Sequence, residues 1–175
     1  MRRWCLVLGL VGGVIVFVSV AGGALFLRGG ISARPEPSGI EAAVARKLRS
    51  FAIPASAREL ANPIPASPRT LAEGKAHFAD HCASCHANDG SGETKLGRSL
   101  YPRPPDMRLP ATQELTDGEI FYIIEHGVRL TGMPAWGGDN PEASWQLVHF
   151  IRRLPKLTAQ ERVEMEALNP KSPAE

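Results

Sequence analysis

The chain has 175 residues, which is enough for one modest domain with extensions at its ends. Lys and Arg number 20 against 18 Asp and Glu, and the resulting net charge of +2 is spread along the chain. A nucleic-acid-binding face needs clustered basic side chains, so this composition predicts no nucleic-acid partner.

The first segment is long and apolar. Arg2 and Arg3 precede 24 residues, 4–27, that carry no charge. As a helix these residues would measure about 36 Å, enough to cross a hydrocarbon core of ~30 Å. Arginines before the segment predict that the rest of the chain lies outside the cytoplasm. We predict a single-pass anchor in the cytoplasmic membrane at residues 1–27, with a signal peptide cleaved near residues 19–21 as the alternative.

Residues 28–68 are predicted to form an exported linker rich in proline and alanine. Apolar side chains at helical spacing in residues 40–48 predict one short amphipathic helix inside it. Residues 62–68 contain three prolines, and a residue that precedes proline is driven out of the helical region. We expect that last stretch to be extended.

Residues 69–155 show three helix patterns and lack the alternating pattern of a strand. Residues 70–73 and 116–119 have the sequence of a capping box, in which Thr and a Glu three positions later satisfy the first amides of a helix. At 140–141 an asparagine precedes a proline, as is typical of a helix start. The sequence therefore predicts an all-α domain.

The last residues, 156–175, are predicted to be a C-terminal tail. Residues 158–161 repeat the capping-box sequence, so one further helix is expected there. Pro170 and Pro173 predict a frayed end beyond it.

The residues with evident chemistry form one motif, Cys-Ala-Ser-Cys-His at 82–86. Two thiols about one helical turn apart can bond the two vinyl groups of a porphyrin, and the next histidine then lies under the iron. A zinc site would need two further ligands, but the other cysteine, Cys5, lies in the apolar segment. A thioredoxin-like redox pair would need a setting with strands. We predict one haem c, bound covalently through Cys82 and Cys85, with His86 as an iron ligand.

The second iron ligand is predicted to be Met133. It stands in a loop between Gly132 and Pro134, where a methionine is poor core material and can turn its sulfur inward. Met107 and His126 are the alternative ligands. Met107 lies among prolines and is expected to be a wall residue, whereas His126 is expected to close the second helix near its negative end.

Three features in this order make residues 69–155 resemble the class I monohaem cytochromes c: the attachment motif, the Met133 loop and an aromatic C-terminal helix. More narrowly, the segment is similar to small bacterial domains related to the cytochrome subunits of cbb3 oxidases. The resemblance implies a small fold of three to four helices around one haem, in which the N- and C-terminal helices cross closely at Gly74. It also implies a hydrogen bond from His86 to a proline carbonyl, for which three residues compete: Pro102, Pro104 and Pro105.

Side chains in the loops around the two ligands are expected to keep water from the haem and to tune its reduction potential. The polar side chains among them are expected either to pack against the haem or to donate a hydrogen bond to a haem propionate. The predicted pocket residues are Tyr101, Pro104 and Trp136.

An iron whose two axial positions are both filled by the protein has no place for a substrate, which favours outer-sphere electron transfer. We predict a tethered carrier, not an enzyme, that exchanges single electrons with redox protein partners in the periplasm or outside the cell. The linker would let the haem domain move between donor and acceptor. A fixed subunit of a respiratory oxidase or dehydrogenase complex is the close alternative. A haem enzyme or gas-binding protein with an open iron is the third.

Overall fold

The computed structural model describes residues 2–28, 30–138 and 140–170, so the prediction for residues 171–175 lies outside it. The chain divides into two compact units, with the boundary between Ala33 and Arg34. Within the described ranges every regular element is a helix or helical turn, which confirms the predicted all-α class.

The first unit contains helix α1, Arg2–Arg28. Its stretch Leu6–Leu25 has a mean hydropathy of 2.4 and is not buried by the protein. Length and composition therefore suit the predicted membrane span. A signal sequence near the N-terminus has the same two properties.

The second unit is a helical domain. A π-helical turn at Phe78–Cys82 joins two of its helices, and 3₁₀ turns occur at Gly97–Ser99 and Leu154–Lys156. Its helices in chain order are α2 (Gly39–Ala52), α3 (Ala55–Arg58), α4 (Pro68–His77), α5 (Ala83–His86), α6 (Pro110–Gln113), α7 (Asp117–His126), α8 (Pro141–Arg153) and α9 (Ala159–Leu168).

The core forms where α4 crosses α8. The approach is close because Gly74 has no side chain: a Cβ there would lie 2.2 Å from the carbonyl oxygen of Gln146. One turn further on, the rings of Phe78 and Phe150 pack with centroids 5.1 Å apart, and both side chains are fully buried. The predicted crossing at Gly74 is therefore confirmed.

Helix starts follow the predicted patterns with two differences. α4 begins at Pro68, because Ser67 is its N-cap and Ser67 Oγ accepts a hydrogen bond of 3.0 Å from the Thr70 amide. The capping box predicted at 70–73 is thus wrong by one turn. Asn140 precedes α8 as predicted, but its side chain makes no capping hydrogen bond. The capping boxes of α7 and α9 are both confirmed.

Much of the segment predicted to be a linker, residues 28–68, packs on the helical domain. The compact unit already begins at Arg34, and Ile53 and Ala57 are buried in it. α3 approaches α7 at Gly118, where a Cβ would lie only 1.9 Å from the Ala57 carbonyl oxygen. The chain between α1 and the folded unit is therefore much shorter than the predicted linker.

Helix α9 also packs on the domain, although it lies in the predicted tail at 156–175. Met165 is fully buried. Lys75 of α4 forms an ion pair with Glu164 of α9. These contacts make α9 part of the same core.

Replacing Gly74 with alanine should lower the free energy of unfolding by about 2 kcal/mol, because the new methyl group meets a backbone carbonyl that cannot move alone. The loss should appear even though alanine has the higher helix propensity. Thermal unfolding of the purified protein measures it. Gly138→Ala is the control, since nothing lies within 4 Å of its Cβ position. Equal melting temperatures for the two variants would contradict the close crossing.

Candidate haem site

The predicted attachment motif is held by the core of the domain. Phe78, at the start of the π-helical turn, and Ala83, at the start of α5, are both buried. Cys82 and Cys85 are half-buried free thiols and do not form a disulfide. Because the core fixes the backbone on both sides, the thiols have defined positions from which they could bond a haem.

His86 ends α5 and is 8% exposed. Burial lowers the pKa of its imidazole to about 4. The ring is therefore neutral at physiological pH, which is the form that coordinates a metal. Its Nδ1 atom is buried without a hydrogen-bond partner among the described residues. A buried polar atom without a partner costs free energy, so a further group at this ring would be favourable.

The hydrogen bond predicted from His86 to a proline carbonyl is not formed in the structure, since Nδ1 has no partner there. The carbonyl oxygen of Pro104 is instead close to Gly92, 2.7 Å from the position that a Cβ of Gly92 would take. Gly92 has a φ of +78°, a conformation that favours glycine. The loop after the motif thus brings Pro104 back toward it without reaching the imidazole.

That loop is held to the motif by hydrogen bonds to the backbone carbonyls of the motif. The Gly92 amide donates to the His86 carbonyl at 2.8 Å, and Thr94 Oγ1 donates to the Cys85 carbonyl at 3.3 Å. Thr94 Oγ1 also accepts from the Gly97 amide at 2.7 Å. Gly97 packs closely against the backbone of Cys85: a Cβ atom added at Gly97 would lie 2.6 Å from the Cys85 carbonyl oxygen. The C-terminal end of the motif is therefore held by the segment that follows it.

The loop of Met133 is held to the C-terminal end of α7 by hydrogen bonds and close backbone packing. The Val128 amide donates to the Met133 carbonyl at 3.1 Å, and the Met133 amide donates to Thr131 Oγ1 at 3.1 Å. Gly127 caps α7 with a φ of +65°, and a Cβ there would lie 2.7 Å from the Met133 carbonyl oxygen. The Met133 side chain is half-buried in this fixed loop.

The two alternative ligands lie in less suitable places. Met107 is buried in the hydrophobic core, and its amide donates to the Gly90 carbonyl at 2.8 Å. His126 is exposed, with its ring against that of Tyr122 at a centroid distance of 4.3 Å. These placements favour Met133 as the second ligand.

The tertiary structure brings three distant segments together. The ring of His81, next to Cys82, packs edge-on against Trp136 with centroids 5.3 Å apart. Gly132 packs against the Leu100 side chain: a Cβ atom added at Gly132 would lie 2.7 Å from it. The Met133 loop is therefore adjacent both to the attachment motif and to the loop that follows it.

The predicted pocket residues occupy different environments. Tyr101 and Trp136 are exposed, and Pro104 is half-buried. The Tyr101 hydroxyl donates a hydrogen bond to Glu41 of α2, which raises the pKa of the phenol. Their contact with a haem stays a prediction.

The sequence patterns did not reveal the threonines that shape the two loops. The Thr94 hydroxyl accepts a hydrogen bond from the Gly97 amide, and the Thr131 hydroxyl accepts one from the Met133 amide. Each hydroxyl also donates to a backbone carbonyl, Thr94 to Cys85 and Thr131 to Val128. Threonine often makes such turns, but too many loop threonines do so for the residue type to mark a site.

Comparison with known proteins indicates the family that the site-bearing residues resemble. Residues 69–151 match the family described as cytochrome c oxidase, cbb3-type, subunit III. This match supports a cytochrome c domain over these residues. The chain is also similar to the cbb3-type cytochrome c oxidase subunit FixP of Rhizobium meliloti (strain 1021), with 30% identity over 95 residues. The aligned part is 51% of this chain but 29% of that relative.

The cytochrome c domain implies haem c, and the residues present fit that group. Two free thiols lie in the attachment motif, and a neutral buried imidazole with an unpaired nitrogen follows them. A thioether in a fixed loop supplies a soft second donor. This donor set differs from that of a zinc centre, and no cluster of three or more metal-binding side chains occurs in the described part of the chain.

Replacing Gly127 with alanine should displace Met133. The substitution places a side chain at a φ of +65° and within 2.6 Å of the Pro134 carbonyl carbon. We expect the far-red sulfur-to-iron absorption band of the oxidised protein to weaken or vanish while the haem stays covalently attached. Gly138→Ala, in open space, should retain the band. An unchanged band in both variants would mean that Gly127 does not position the ligand.

Proposed function

We propose that the chain is a membrane-tethered c-type cytochrome that transfers single electrons on the periplasmic side of the cytoplasmic membrane. The carrying observation is the neutral, buried His86 directly after two free thiols, inside a domain of the cytochrome c family. The apolar helix α1 supports the membrane tether.

In this proposal Cys82 and Cys85 hold the haem through thioether bonds. Burial, and then the nearby Cys85, raise the pKa of Cys82 to about 12. The Cys82 thiol is thus protonated at neutral pH. The thiolate is the attacking species in disulfide exchange, so this environment disfavours attack by Cys82 on a disulfide.

His86 and Met133 are the side chains that would ligate the haem iron. Haem c supplies an iron that cycles between the ferrous and ferric states. The thioether sulfur favours the ferrous state and so raises the reduction potential relative to two histidines. The hydrogen bonds of Thr131 and the packing at Gly127 keep the Met133 backbone in place. A fixed ligand limits structural change on electron transfer, which suits a carrier rather than an enzyme.

A second candidate function is that of a fixed subunit in a respiratory oxidase complex. The similarity to an oxidase subunit favours it, although the chain covers 29% of that relative. The redox partners would then be neighbouring subunits instead of diffusing proteins. Purification from membranes in a mild detergent distinguishes the two, because a subunit should co-purify with haem–copper oxidase activity and a free carrier should not.

The ligand assignment can be tested with Met133→Leu and its matched control Met107→Leu. Leucine preserves volume and apolar character but has no sulfur. We expect Met133→Leu alone to lose the far-red band and to bind carbon monoxide rapidly when reduced. Loss of the band in Met107→Leu, or rapid carbon monoxide binding by the unaltered protein, would overturn the proposed ligation and the carrier function with it.

Covalent attachment can be tested with Cys82→Ser and Cys85→Ser, made separately and together. Each single variant should keep one thioether, so its pyridine haemochrome band should shift to longer wavelength as one vinyl group stays conjugated. The double variant should show no haem stain on a denaturing gel. Cys5→Ser is the control and should behave as the unaltered protein. Stain in the double variant would show that these cysteines do not hold the haem.

A further inference from the structure

Helix α2 carries an apolar stripe that no part of its own compact unit covers. Ile40, Val44, Leu48 and Phe51 recur at the spacing of a single helix face. Their side chains are 81%, 52%, 63% and 87% exposed, respectively. None of the residues of α2, all of which the structure describes, is buried.

The polar side chains of α2, in contrast, make its contacts with the domain. The Arg49 guanidinium donates to the Ala111 carbonyl at 3.3 Å and is partly buried. Glu41 accepts the hydrogen bond of the Tyr101 hydroxyl. A surface helix of a globular protein normally turns its apolar stripe inward. In α2 the tertiary contacts fix the opposite orientation, so the outward stripe is held in place as a surface.

A row of four large apolar side chains on one exposed face is typical of an interaction surface rather than of scattered surface residues. Basic side chains accompany it. α2 contains Arg46, Lys47 and Arg49 against the single acidic Glu41, a net charge of +2 from three minus one. Arg46 and Lys47 are exposed. An apolar face flanked by the exposed Lys47, on a helix of net positive charge, suits the boundary of an anionic lipid bilayer.

The position of α2 in the chain favours the same partner. α1, with the composition of a membrane span, ends at Arg28, and α2 begins at Gly39. The ten residues between them keep α2 within reach of the surface of the membrane that α1 would cross. A lipid surface is therefore the partner that α2 meets at the highest effective concentration.

We propose that α2 is an interfacial helix that docks on an anionic phospholipid bilayer, the one that α1 spans. Ile40, Val44, Leu48 and Phe51 enter the boundary between headgroups and acyl chains. Lys47, three residues after Val44 and four before Phe51, lies beside the stripe and meets the lipid phosphates. The docking gives the cytochrome domain a second attachment beside α1 and limits the orientations that it can take. It does not depend on which residues ligate the iron.

The test uses the full-length, haem-loaded chain in nanodiscs of mixed anionic and zwitterionic phospholipid. In a Cys5→Ser background, Phe51→Cys reports on the stripe. Ala45→Cys, exposed on another face of α2, is the matched control. Both are alkylated with a charged, membrane-impermeant maleimide. We expect severalfold slower alkylation at position 51 than at position 45, with unchanged haem spectra showing that both variants are folded.

A second measurement identifies what covers the stripe. The unaltered chain is placed in nanodiscs that contain a phospholipid with a photoreactive diazirine near its acyl carbonyl, and cross-linked peptides are identified by mass spectrometry. Lipid adducts on α2 support the proposal. Equal alkylation rates at positions 51 and 45 would overturn the proposal, because the bilayer would then not cover the stripe. The stripe would instead be a surface for another protein. Slow alkylation at position 51 without lipid adducts, or with cross-links to a second copy, would also overturn it.

Discussion

The crossing of α4 and α8 at Gly74 is the constraint on which the haem site depends. A glycine at this point lets the backbone of α4 approach the Gln146 carbonyl, and the paired rings of Phe78 and Phe150 fill the space beside it. Phe78 begins the turn that leads into the attachment motif. The motif is therefore anchored at its N-terminal end by a closely packed helix crossing, where a shift of the backbone would cost free energy.

Around this anchor, the site is formed by loops whose shape depends on glycines and threonines. Thr94 and Gly97 hold the segment after the motif, and Thr131 and Gly127 hold the loop of Met133. Burial in the same region keeps His86 neutral and Cys82 protonated. Both effects favour haem binding. The backbone is held in place, and Cys82 and His86 stay in the uncharged forms that suit thioether attachment and iron ligation.

The sequence predicted the elements whose causes are local. The capping box that begins α7 needs only Thr116 and Glu119, and both hydrogen bonds form. The start of α4 was missed, although Ser67 before Pro68 is itself a typical helix start, because Thr70, three positions after Ser67, offered a competing pattern. The extent of the linker was also missed. Its proline content indicates an open chain, whereas the burial of Ile53 depends on partners far along the sequence.

The sequence by itself determined the all-α class, the apolar first helix and the order of residues in the attachment motif, since each follows from neighbours within a few positions. Only the tertiary structure decided that His86 is buried and neutral, that Met107 belongs to the core and that Trp136 of the Met133 loop packs beside the motif. It also decided that the stripe of α2 faces outward. Helical periodicity identifies an apolar face but not its partner, because the choice of partner depends on contacts between segments that are distant in the chain.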